Sequence, residues 1–242
     1  MKICIDAGHN DSGFNTGATG NGIREQDITF AIANRLNILF AKTNIKTILT
    51  RPTKSTNLGT SNATSLSERV RIANEFSADL FISIHCNAGG GTGTETLVYS
   101  DKSASYPLAQ YIQNEIVSKI GTKNRGVKLR SDLAVLKNTN MPSILVETAF
   151  IDSVNDANLL KNNTDDFAQA IFNAICEHYK IGVKNMSKFN DIDGHYAKNH
   201  IEKLADYGIV NGDGSGNFNP DSPITRAEVA VIVGNALTVL GK

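Results

Sequence analysis

Three short apolar runs, residues 2–6 (KICID), 79–85 (DLFISIH) and 143–147 (SILVE), stand among segments of helical periodicity. That alternation constrains the fold more than any other feature. Apolar runs of this length, without regular polar alternation, suit strands buried on both faces, as in a parallel sheet. Residues 27–43 place Ile28, Ala31, Ile32, Leu36, Leu39 and Phe40 on one helical stripe. Residues 104–120 and 165–179 are also expected to be helical. Ser65-Leu-Ser-Glu68 reads as a capping box opening a helix that runs to about Phe76. Further strands are expected at 46–50, 95–99 and 133–137, and residues 8–22, rich in Gly, Asn and Thr, as a loop. The expected class is α/β, with an open, twisted, mostly parallel sheet flanked by helices. In such sheets ligands sit beyond the carboxyl ends of the strands.

The pattern pauses at 181–188 (IGVKNMSK), read as a linker between a first domain, 1–180, and a small, mainly helical module, 189–242. The module is expected to hold helices at 196–207 and 225–240, the second opened by the capping box Thr225-Arg-Ala-Glu228. Between them, Asp213, Ser215, Asn217, Asn219 and Asp221 alternate as in a calcium loop. Phe218 stands where that loop needs Gly and Ile224 where it needs Glu, so the stretch reads as turn chemistry.

Lys+Arg and Asp+Glu both number 24, so the formal net charge is zero. That gives no global attraction to nucleic acid or to an anionic membrane, and neither is expected as a partner. No apolar run approaches the roughly 20 residues that span a bilayer, so membrane insertion is not expected. The opening MKICIDAGHN lacks the charged and then apolar pattern of a signal peptide, which implies synthesis in the cytoplasm. Cys4, Cys86 and Cys176 are odd in number and lack a CxxC spacing, which argues against a disulfide framework.

His9 and His85 each fall at or just beyond an expected strand end, and Glu147 closes the apolar run Ile144-Leu-Val-Glu. A carboxylate ending a buried strand is costly unless it is paired or bound to a cation. Glu25 lies just before a long helix. Two imidazoles and one carboxylate suit Zn²⁺ with one position left for water, and a second carboxylate would then be free to move protons. The competing reading makes the histidines hydrogen-bonded structural residues and Glu25 an acid favoured by the helix dipole. Cys86 follows His85 and should point to the opposite face, as a small filler. His195 and His200, five residues apart, are a poor helical metal pair and are expected at the surface.

The stretches IDAGHND, GIREQDITFAIANRL, LSERVRIAN, DLFISIHCNA, RGVK and LAVLKNTNMPSILVETAFI occur in an order that resembles the zinc-dependent N-acetylmuramoyl-L-alanine amidases of bacterial autolysins and phage endolysins. The resemblance covers about the first 180 residues. It implies that His9, Glu25 and His85 ligate zinc and that Glu147 is the catalytic acid/base. The reaction implied is hydrolysis of the amide joining N-acetylmuramic acid to L-Ala in peptidoglycan. Asn87, Arg125 and Lys128 are candidate substrate contacts, each with a competing reading as ordinary loop chemistry. Cys86 departs from the Ala usual after the second His, and Thr-Ala-Phe-Ile-Asp after Glu147 departs from the usual Gly and Asn.

FNDIDGHYAKNHIEKLADYGIVNGD and GNFNPDSPITRAE resemble an S-layer homology module. This implies binding of a secondary cell-wall polymer, with Arg226 a candidate contact. Such modules commonly occur in threes and this chain has one, so either it binds alone and weakly or chains assemble through the module into a homo-oligomer and gain avidity. The overall expectation is a phage or prophage endolysin acting on the wall of a Gram-positive host after a holin-type partner breaches the membrane. The alternatives are a host autolysin, another zinc hydrolase such as a peptidase or deacetylase, and a non-catalytic wall-binding protein.

Overall fold

A computed structural model describes residues 1–182 and 188–239. The chain divides into two compact units, Met1–Lys184 and Asn185–Lys242. The linker expected at 181–188 lies mostly outside the described residues, as does the end of the helix expected to reach residue 240.

The first unit is α/β. Its strands are β1 (Lys2–Ala7), a short hairpin of β2 (Thr19–Gly20) and β3 (Ile23–Arg24), β4 (Lys46–Leu49), β5 (Leu80–Asn87), β6 (Thr94–Val98), β7 (Asn124–Leu129) and β8 (Ser143–Phe150). Its helices are α1 (Glu25–Phe40), α2 (Asn62–Glu75), α3 (Tyr106–Ile120), α4 (Ala134–Lys137), α5 (Val154–Asn162) and α6 (Thr164–Tyr179). Six strands form one sheet in the order β4-β1-β5-β8-β6-β7. All neighbours are parallel except β6 and β8. The apolar runs at 2–6, 79–85 and 143–147 are thus three adjacent central strands, buried on both faces.

Side chains alternate across the sheet, and this sorts the core. Ile3, Ile5, Ile82, Ile84, Ile144 and Val146 face α1, α3 and α6 in the larger apolar cluster. Cys4, Phe81, Leu145 and Leu97 face α2 and α4 in a smaller one. Continuing that second face toward the carboxyl ends of β1, β5 and β8 brings Asp6, His85 and Glu147 to the same side, where Glu95 joins them from the amino end of the antiparallel β6. The polar end of the sheet is therefore the outer part of the less apolar face.

Several local elements depart from the sequence reading. Residues 133–137, expected as a strand, hold the short helix α4. Five residues are too few for periodicity to separate strand from helix. The capping box of α2 is Ser61 with Thr64, one turn before the expected Ser65 and Glu68. Ser65 is buried instead, accepting a 3.0 Å bond from Asn15 Nδ2. RGVK lies in the edge strand β7, whose charges and Gly126 disguise it as a loop. The expected loop at 8–22 contains β2, and Val154–Asn162, for which the sequence suggests no element, form α5.

One buried ion pair ties α2 to the sheet beside the site. Arg69, on α2, is 1% exposed and Asp6 is fully buried. Arg69 Nη1 donates to Asp6 Oδ1 and to the Ala7 carbonyl, both at 2.6 Å. Its Nη2 donates to the His9 carbonyl at 2.6 Å and to Asn10 Oδ1 at 3.1 Å. Ser83 and Thr50 hydroxyls donate to the remaining Asp6 lone pairs. Burial pushes the Asp6 carboxyl up, but the Arg69 guanidinium and these two hydroxyls outweigh it and hold it below the usual range. Sequence reading singled out neither Arg69 nor Asp6.

In the second unit, α7 (Lys198–Asp206) and α8 (Arg226–Val239) accompany a small core of Phe189, Ile192 and Ile201. Thr225 and Glu228 form the expected reciprocal cap. Asp213 accepts bonds from Ser215, Asn217 and Asn219, a turn held by its own side chains. His195 packs beside Tyr196 and His200 is exposed. No helix among the described residues is long and apolar enough to cross a membrane.

Removing one partner of a buried, hydrogen-bonded ion pair strands the other. Arg69→Met should lower unfolding free energy by about 3–5 kcal/mol. Chemical denaturation checks this; a loss under about 1 kcal/mol would show the pair to be dispensable.

Candidate metal centre

The site forms where β1, β5 and the start of α1 meet. Gly8 follows β1, and its N–H donates to the Ile84 carbonyl of β5 at 3.0 Å. A Cβ on Gly8 would lie 2.5 Å from the His85 ring, so only glycine lets β1 pass so close. His9 then adopts φ +65°, a left-handed conformation unusual for a residue with a side chain. The Arg69 bond to its carbonyl holds it there.

Glu25 is the first residue of α1. The β2–β3 hairpin delivers it: the Glu25 N–H donates to the Ala18 carbonyl, and the Ala18 N–H donates back to Glu25 Oε2, both at 2.9 Å. A Cβ on Gly17 would lie 2.7 Å from that of Glu25. Glu25 Oε1 accepts the Cys86 N–H at 2.9 Å. The carboxylate is thus fixed on both oxygens before any imidazole is considered.

His9 Nε2 lies 3.0 Å from Glu25 Oε1, His85 Nδ1 lies 3.1 Å from the same oxygen, and the two nitrogens lie 3.1 Å apart. Two neutral imidazoles cannot satisfy this triangle. If both nitrogens carry protons toward Glu25, those protons oppose each other across the His–His edge. A cation facing three lone pairs satisfies every edge. The edge of a zinc tetrahedron with bonds of 2.0–2.1 Å is about 3.3 Å, close to the spacing seen. The nitrogen-rich donor set favours a zinc-type ion over Mg²⁺ or Ca²⁺. His9, Glu25 and His85 are the one such cluster among the described residues.

Electrostatics fit the same reading. Burial alone would raise the Glu25 carboxyl, but bonds from His85 and His9 hold it well below the usual range. Burial, opposed by Glu25 and reinforced by His9, pushes the His85 imidazole down, leaving it neutral and able to donate a lone pair. Cys86 points away, its thiol pushed far up by burial and its Sγ 3.5 Å from Thr148 Oγ1.

Glu147 pairs in register with His85 on one side and with Glu95 on the other. Its Oε2 is buried without a hydrogen-bond partner. Burial, with the charges of Glu25 and Glu95, pushes its carboxyl up to about 8, against a smaller pull from Arg130. This is a carboxyl poised to exchange a proton near neutrality.

The other candidates are dispersed. Asn87 and Arg125 both lie at the site edge, bonded to Glu95. Lys128 is exposed on β7, and Arg226 is exposed on α8 in the second unit. Glu95 escaped the sequence reading because a lone acid in the polar run Thr-Glu-Thr looks like a solvent-facing strand residue.

Residues 3–177 match the family profile described as N-acetylmuramoyl-L-alanine amidase, and residues 188–230 match the S-layer homology domain. The sporulation-specific N-acetylmuramoyl-L-alanine amidase of Bacillus subtilis is 39% identical over 71% of this chain and 64% of its own length. The endolysin of Bacillus phage SPP1 is 38% identical over 72% of this chain and 65% of its own. This chain therefore spans a little under two thirds of each of these relatives. The structure of the CwlD amidase from Clostridioides difficile, in complex with the GerS lipoprotein, aligns with a TM-score of 0.68 at 31% identity, covering 74% of this chain and 98% of that one. With most of its length under the first profile, the chain belongs to the N-acetylmuramoyl-L-alanine amidase family and carries an S-layer homology domain after it.

Proposed function

We propose that the protein is a zinc-dependent hydrolase of the amide joining N-acetylmuramic acid to L-Ala in peptidoglycan. The observation that carries this reading is the triangle of His9, Glu25 and His85 donor atoms beside the unpaired Glu147 carboxyl. His9 Nε2, Glu25 Oε1 and His85 Nδ1 would hold the ion. Bound there, zinc supplies Lewis acidity toward the scissile carbonyl and makes water more acidic. Glu147 takes the proton of the attacking water as its oxygen bonds to the carbonyl carbon. It then gives that proton to the nitrogen as the C–N bond breaks, releasing a lactyl carboxylate and a free L-Ala amine. Buried Asp6 and Arg69 keep the His9 backbone in place throughout.

His9→Ala, Glu25→Ala and His85→Ala should each lose both zinc and activity. Glu147→Gln should keep zinc and lose activity by at least about a thousandfold. Elemental analysis and identification of new L-Ala termini on digested walls check this. Release of a glucosamine amine or a cut within the stem peptide would contradict the assigned bond. Glu147 also makes a prediction about stability. Its folded pKa, about 8, exceeds the ordinary 4.5. Its ionisation is therefore disfavoured in the fold, and metal-free stability should fall as pH rises between those values. Metal-free Glu147→Gln should exceed metal-free wild type by roughly 3 kcal/mol at neutral pH, with the gap closing as pH falls toward the lower value. A gap that widens on acidification would contradict this.

The second unit supports a wall-polymer role, with Arg226 proposed as a contact. It also supports self-association. None of the described residues of α8 is buried, and Val229, Val231, Val233 and Leu237 are 44–61% exposed around it. A helix apolar on every side is ordinarily covered. Sedimentation should show an oligomer at micromolar concentration that Val231→Glu disperses; a wild-type monomer overturns self-association.

The likeness to the phage endolysin supports a role in host lysis, with a holin-type partner giving access to the wall. Cells making this protein should lyse only when a pore-forming membrane protein is also made. Lysis without one would favour a host enzyme.

A further inference from the structure

Glu95 stands beside Glu147, whose carboxyl its charge helps to raise, and has no further role in the reading above. The two residues are direct register partners across β6 and β8, so their side chains leave the same face of the sheet. Yet Glu95 is not simply another acid. Both its oxygens are engaged by groups from the site edge. Asn87 Nδ2 donates to Oε1 at 2.8 Å and Arg125 Nε donates to Oε2 at 2.7 Å. The Glu95 side chain is only 14% exposed and that of Arg125 is 32% exposed. The Arg125 guanidinium also lies 4.8 Å from the centre of the Phe150 ring. Its Nε edge and one face are therefore occupied. Its two terminal nitrogens, Nη1 and Nη2, make no hydrogen bond among the described residues.

A guanidinium fixed on one edge and one face offers its remaining N–H groups in a defined direction. Two parallel N–H donors match the two oxygens of a carboxylate. Fixing the fork in advance removes much of the rotamer entropy that a free arginine loses on binding. Phe150 lies three residues beyond Glu147 on β8, and Asn87 two beyond His85 on β5. The fork itself stands on β7 and its anchor Glu95 on β6, and it is braced, by Phe150 directly and by Asn87 through Glu95, from the two strands that carry the proposed proton-moving acid and a proposed zinc ligand.

We propose that Glu95 is a positioning residue that aims Arg125, with Asn87 beside it, at a free carboxylate of the stem peptide next to the scissile amide. This rests on the amidase reading for the substrate's identity. Arg125 makes the contact, and Glu95 acts only through it.

The test is a binding titration of a soluble N-acetylmuramoyl-tripeptide to zinc-loaded protein in the Glu147→Gln background, which removes turnover. The same peptide with its carboxylates amidated is the comparison. Without further changes, the free-acid peptide should bind about tenfold more tightly than the amidated one. Glu95→Ala and Arg125→Ala should each erase that preference, and together they should do no more than either alone. Glu95→Gln, which keeps an acceptor, should recover part of it. Zinc content should stay at one per chain throughout. An undiminished preference in Glu95→Ala overturns the proposal, as do additive losses in the double variant or loss of zinc with Glu95. Turnover of the active protein separates the two readings. If wall suspensions release L-Ala termini while Glu95→Ala keeps an unchanged KM, only the positioning role fails. If no such termini appear, the activity reading fails, and the titration still decides the role of Glu95 in carboxylate binding.

Discussion

A buried carboxylate oxygen between two imidazole nitrogens, with all three atoms about 3 Å apart, is the constraint on which the rest of the site depends. Such an arrangement cannot be satisfied by protons alone, and in a partly buried setting it is costly without a counter-charge. The fold nevertheless holds it rigidly. Glu25 is pinned through both oxygens by main-chain N–H groups, so it cannot swing away to relieve the strain. His85 is built into a central strand and His9 is locked by Arg69. The donor set is preorganised for a cation, and Glu147, proposed above to handle the proton, sits one strand away, its pKa raised by burial and nearby negative charge.

The scaffold explains why these groups meet although they are distant in sequence. Parallel register sets Ala7 opposite Ile84 and His85 opposite Glu147, so the carboxyl ends of β1, β5 and β8 rise together. The wide apolar face against α1, α3 and α6 supplies most of the core. The opposite face turns polar at its outer end, through Asp6, Ser83 and His85. The buried Arg69–Asp6 pair marks that change of character. It joins α2 to the sheet and supports the backbone that presents His9. If His9 holds the ion as proposed, stability and function share that pair.

Much of this was legible in the residues. Long apolar strands carry a strong signal because burial on both faces leaves little room for polar residues. The stripe of α1 was equally plain. What failed were short or edge elements. Leu133 to Lys137 is too brief for its period to be read, and β7 carries the charges that protect an edge strand. The α2 cap was displaced by one turn because Ser61 and Thr64 make a reciprocal cap without the glutamate that usually advertises one. The four chemically distinctive residues were visible as strand-end or helix-start anomalies, and the structure places His9, Glu25 and His85 together. Glu95 was not visible. Its significance lies in register with Glu147 and in two bonds to residues 8 and 30 positions away, which no local pattern records.

The most direct test of the central claim is anomalous X-ray scattering from crystals of the zinc-supplemented protein, measured on both sides of the zinc edge. The account predicts one strong peak per chain, about 2.0–2.2 Å from His9 Nε2, His85 Nδ1 and Glu25 Oε1 together. A structure without that peak, or with zinc held by other side chains while this triangle stays closed by hydrogen bonds alone, would contradict it.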